Sequence, residues 1–169
     1  MKIKLLKMVI IITLIFTLLL PVTTSSSIKT STMDNTLREL KEVLNVSVLN
    51  LTTTKSFDTL YDYYTDIFIA SYTLEYEGDG EYFMTPQELI EKDYRGDCDD
   101  YAIFFYTLAK EMNLTVRFMV GYTGTKGHAW IQIQKNDKWI EYNSIKPSRC
   151  KNCVSKRFEH LLIIEEVKR

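Results

Sequence analysis

Three residues of this chain are best placed for covalent chemistry: Cys98, His128 and Asn143, in that order. A thiol attacks only as the thiolate, so it needs a base within reach, and the base needs a partner that fixes its tautomer. The chain has two histidines. His128 opens an alternating apolar segment, whereas His160 lies in an amphipathic tail that suits a partly buried structural role. Cys98 opens "CDDYAIFFYTLAKEM", where free backbone N–H groups and the helix dipole favour a thiolate. The neighbouring acids, Asp97, Asp99 and Asp100, pull the other way. Asp97 suits the N-cap, and the other two sit in a first turn, where negative charge complements the dipole. A cationic His128 within about 4–6 Å, shifting a thiol by roughly 1–3 units, is expected to outweigh them.

Elements must bring these residues together. Cys98, Ala102, Phe105, Ala109 and Met112 share a helical face, with Asp97 as cap. Before it, Thr85, Pro86 and Glu88 carry the signature of a capping box that starts a short helix reaching about Lys92. Three strands follow, "TVRFMVGYT" from Thr115, "HAWIQIQ" from His128 and "KWIEYN" from Lys138. If "KNDK" closes a tight hairpin, Gln134 faces Trp139, and counting back sets Trp130 opposite Asn143. His128, Trp130 and Gln132 then share a face with Asn143 and Glu141. Ala129, Ile131, Ile133, Ile140 and Tyr142 form the opposite, core face. Asn143 becomes a diagonal neighbour of His128, within the ~7–8 Å such pairs span. Glu141 lies two residues further off, so the count selects Asn143 as the orienter. Helices followed by an antiparallel sheet predict an α+β domain.

Upstream, Leu37, Leu40, Val43 and Leu44 mark a helix that Asp34 or Asn35 could cap, and a second helix is expected from Phe57 to about Ser71. The tail after Asn152, with Phe158, Leu161, Leu162 and Ile164, could add a last strand or helix.

The blocks "GDCDDYA", "GHAWIQI" and "KWIEYN" resemble the core of the transglutaminase-like cysteine enzymes, relatives of the papain-type peptidases. The segment "YFMTPQELIEKDYRGDC" resembles the lead-in to the cysteine in many prokaryotic members, so the likeness runs from Tyr82 to Ser144. The resemblance implies a papain-like fold with the catalytic helix packed on an antiparallel sheet. It implies Cys98 as nucleophile, His128 as base and Asn143 as third member. Transglutaminase-like proteins usually carry aspartate at that third position and papain-type enzymes asparagine; an amide still orients imidazole. The implied activity is thioester-mediated acyl transfer on a peptide or protein amide, chiefly hydrolysis, with no cofactor and no metal. A catalytically silent cell-surface module that keeps the fold is the alternative.

Lys2, Lys4 and Lys7 precede an apolar run from Met8 to Leu20, followed by small hydroxylated residues. This describes a signal peptide, or an anchor if the run is counted from Leu5 to Val22. Residues 1–24 are therefore expected to direct export or tether the chain, 25–36 to be a polar linker and 37–169 the folded domain. In the oxidising compartment this implies, Cys150 and Cys153 of "CKNC" favour a short-loop disulfide, with a metal site or free thiols as the other readings. A net charge of −1 gives no basic footprint for nucleic acid.

Overall fold

The computed structural model describes residues 25–72, 82–124, 126–145, 149–151 and 153–168. The expected signal or anchor, residues 1–24, lies outside these. Among the described residues, no helix is long and apolar enough to cross a membrane. The chain divides into two compact units, 1–35 and 36–169, and the site belongs entirely to the second.

Four helices precede the sheet in the described chain: α1 (Ser25–Val46), α2 (Phe57–Tyr72), α3 (Pro86–Glu91) and α4 (Cys98–Glu111). α1 begins earlier than its capping signals suggested, and Asp34 and Asn35 lie inside it. Ser and Thr cost only a few tenths of a kcal/mol against better helix formers, so the run 25–36 can be helical where a linker was expected. The other two starts follow the sequence. Thr85 caps α3 in a capping box with Glu88, with Pro86 in the first turn. Asp97 caps α4 and accepts from the Asp99 N–H at 3.2 Å.

Five strands form one antiparallel sheet in the order β4-β3-β2-β1-β5: β1 (Val116–Thr123), β2 (Lys126–Lys135), β3 (Lys138–Asn143), β4 (Arg149–Cys150) and β5 (His160–Val167). The tail thus supplies a strand, paired with β1 along its outer edge. The β2–β3 register is the one the hairpin count required, with Gln134 opposite Trp139 and Trp130 opposite Asn143. Asn136 and Asp137 make the turn with φ of 49° and 59°, the left-handed pair that a two-residue hairpin loop demands.

α4 is not amphipathic in the simple sense expected. Every residue from Tyr101 to Ala109 is buried, because the helix runs between the sheet and the helices α2 and α3. Phe57, Tyr61, Tyr64 and Phe68 of α2 meet Phe104, Phe105 and Tyr101 edge-on or stacked, with Phe68 lying flat on Tyr101 at 4.2 Å. Each such ring contributes about 1.5–3 kcal/mol by leaving water. The far end of α4 is tied down as well: the Glu111 carboxylate accepts from the N–H groups of Leu49, Asn50 and Leu51. A helix held over its whole length fixes where its first residue, Cys98, can stand.

Candidate active site

Cys98 is the first residue of α4 and the free cysteine of the described chain. Its thiol lies against β2 at Ala129, whose backbone acts to favour the thiolate. The preceding residue on that strand is His128. Its Nε2 lies 2.7 Å from Asn143 Oδ1. An amide oxygen only accepts, so this contact places a proton on Nε2 and leaves Nδ1 as the basic nitrogen. Register alone does not fix Asn143. Its backbone carbonyl accepts from the buried Tyr61 hydroxyl at 2.8 Å, and the next residue, Ser144, donates to the Ala129 carbonyl at 2.6 Å. Helix α2, strand β2 and strand β3 therefore converge on the residues beside the thiol.

The acids around Cys98 divide into different tasks. Asp100 is 2% exposed and is a strut: Oδ1 accepts from the Met84 N–H at 2.9 Å and Oδ2 from the Asp97 N–H at 3.1 Å. Burial nevertheless pushes its carboxyl up to about 7. Gly96 makes room for it, since a Cβ there would stand 2.8 Å from Asp100 Oδ2. Burial first, then Asp97, push Asp99 up to about 9, so Asp99 holds its proton at neutral pH. That proton removes part of the negative field that the sequence places beside the thiol.

What remains still disfavours a resting thiolate. Burial first, then Asp97 and Asp99, push the Cys98 thiol up to about 12, against the backbones of Ala129 and of Cys98 itself, which act to lower it. Burial also holds His128 below the usual imidazole range. Asn143 and Asp97 oppose that shift, and the charge of Arg157 adds to it. The expected cationic His128 outweighing the acids is therefore corrected: desolvation acts on both partners in the same sense, toward a neutral thiol beside a neutral imidazole.

One correction and one addition concern residues weighed and set aside. His160 is exposed at the start of β5, its ring 5.2 Å from Tyr122, so it is not partly buried. Glu141 is not an orienter, yet it is fully buried, and accepts from Val154 N–H at 2.7 Å, from Ser155 N–H and from Gln132 Nε2. A carboxylate in an alternating strand gives no hint of partners in a turn thirteen residues on. Cys150 and Cys153 form a disulfide next to it. Glu141, Cys150 and Cys153 converge within 4.8 Å, as do Asp97, Cys98 and Asp99, but the disulfide engages two of the first set.

A buried helix presenting a cysteine to a histidine–asparagine pair on an antiparallel sheet defines an α+β domain of the papain-like kind. The profile of the transglutaminase-like superfamily matches residues 45–144, and the chain belongs to that superfamily, which is generally one of cysteine enzymes. No curated protein matches the chain.

Proposed function

We propose that this protein is an exported cysteine enzyme that performs thioester-mediated acyl transfer on peptide or protein amides, chiefly hydrolysis. The observation that carries this reading is the 2.7 Å contact between His128 Nε2 and Asn143 Oδ1, made one residue from the Ala129 backbone against which the Cys98 thiol lies. It leaves Nδ1 free to act as a base. Cys98 Sγ attacks the amide carbonyl carbon as its proton passes to His128. The tetrahedral oxyanion forms at the start of α4, where the Cys98 backbone N–H is one donor to it. Collapse breaks the C–N bond, and the imidazolium returns its proton to the departing amine. Water then attacks the thioester with His128 again taking a proton, and the acid leaves as the thiol is restored. Because Cys98 rests neutral, proton transfer accompanies attack rather than preceding it.

One feature favours a second reading. A thiol at about 12 is ionised to only about one part in 10⁵ at pH 7, as an inert binding module would have it. Iodoacetamide separates the two. Labelling of Cys98 near neutral pH that is lost in His128→Ala supports the enzyme; a thiol that stays unlabelled in the native protein supports the binding module. Export is supported by Lys2, Lys4 and Lys7 ahead of the apolar run. Cell fractionation tests it: the domain is expected outside the cytoplasm or on the membrane, and soluble cytoplasmic protein retaining Met1 would count against it.

A further inference from the structure

The catalytic reading leaves unused the turn that packs over His128. Phe158 follows the 3-10 turn Ser155–Arg157, and its ring centroid lies 6.0 Å from that of His128 with planes 20° apart. It lies 5.6 Å from Trp130, which is itself 6.0 Å from His128 and nearly parallel. The seat for this ring is built into the sheet. Gly121 pairs with His128 across β1 and β2, and a Cβ there would stand 2.8 Å from Phe158 and 2.9 Å from Trp130. The turn is fastened at three points, the last being the Glu159 N–H, which donates to Thr123 Oγ1 of β1 at 3.0 Å. The Glu141 carboxylate takes the Val154 and Ser155 N–H groups, and the Cys150–Cys153 disulfide joins the turn to β4. β4 is itself fixed to α2 through Arg149 and Asp62.

We propose that Phe158 is a positioning residue for His128, and that the Cys150–Cys153 disulfide and Glu141 together hold it in place, so that the site responds to the redox state of that disulfide. The proposal rests on His128 being the working base of the site. Glu141 stands two residues before Asn143 on β3, so one strand delivers both the hydrogen-bonding partner of the imidazole and the anchor of its aromatic cover. Opening the S–S bond by an external dithiol leaves two thiols, Cys150 and Cys153, and converts the dithiol to its own disulfide. The turn then keeps its Glu141 and Thr123 hydrogen bonds but loses its covalent tie to β4, which loosens Phe158 and Arg157 over His128. Loosened, it removes an apolar face and the positive charge of Arg157 from His128 at once. Burial and Arg157 hold His128 down while Asn143 and Asp97 act upward, so both losses act in one direction.

The test is a titration of the full chain by NMR, following the His128 ring signals without substrate. This readout survives even if Cys98 proves inert, so failure of the acyl-transfer reading and failure of this proposal are distinguishable. Phe158→Ala is expected to raise the His128 midpoint by roughly half a unit or more. Phe158→Leu, which keeps apolar cover, raises it less, and dithiol treatment of the unaltered protein raises it too. Arg157→Gln gives a smaller, salt-dependent part of the shift. A folded Phe158→Ala protein with an unmoved His128 midpoint overturns the proposal. So does an unmoved midpoint after the disulfide is shown by mass to be open, or an Arg157→Gln shift as large as that of Phe158→Ala.

Discussion

At the scale of single residues, the site is governed by who holds which proton. His128 acts as a base only when neutral, and burial lowers its pKa, so the acid limb of Cys98 alkylation is expected to fall below pH ~6.5. Rates of iodoacetamide labelling against pH check this; a midpoint above 7 would contradict it. Once a substrate is in hand, His128→Ala should lower turnover by about 10²–10⁴ and Asn143→Ala by less, with Asn143→Asp retaining more than Asn143→Ala. Glu141→Ala is a poor control for that comparison. It strips the anchor from the buried Val154 N–H and the half-buried Ser155 N–H and would impair the protein whether or not Glu141 touched chemistry. Asp99 supplies a linkage prediction. Its folded pKa, about 9, lies above that of an unfolded carboxyl, so the folded state binds the extra proton and stability declines as pH rises from about 4 through about 9. Asp99→Asn mimics the protonated form. It should raise the melting temperature at pH 8 and leave it little changed near pH 4, measured by scanning fluorimetry at both.

At the scale of elements, the devices that were legible in the sequence are local. Asp97 and Thr85 announced helix starts within four residues of themselves, and the turn at Asn136–Asp137 fixed which strand residue faces which. From that count alone His128 and Asn143 fall on one face, as they do. What stayed hidden depends on partners distant in sequence. Asp100 reads as a dipole-matched first-turn acid, but its burial against Met84 comes from the chain sixteen residues earlier. Asp100→Ala removes the acceptor of two N–H groups. A loss of about 2–4 kcal/mol in denaturant unfolding is expected, with α4 the element loosened. α1 was misjudged at its start for a related reason: residues that could cap a helix are also tolerated within one.

At the scale of the whole molecule, α4 is an axle rather than a surface helix. The periodicity of Cys98, Ala102, Phe105 and Ala109 marked buried or half-buried positions but could not show that α2 also covers Tyr101 and Phe104. Phe68→Ala should therefore cost about 3–5 kcal/mol, read by chemical denaturation, although Phe68 belongs to another helix. Its effect on Cys98 labelling in the folded fraction should be small, since the ring packs on Tyr101 and Phe105 rather than on the thiol.

The stretch that recurs among relatives stops at Ser144, one residue beyond Asn143, yet the hydrogen bonding does not stop there. β1 finds its outer partner in β5, and Glu141 finds its donors at Val154 and Ser155. Inheritance and autonomy thus have different borders in this chain. A fragment ending at Ser144 would keep every member of the Cys98, His128 and Asn143 set, but it would strip Glu141 of its Val154 and Ser155 donors and bare an unpaired strand edge. It should lack a cooperative melting transition.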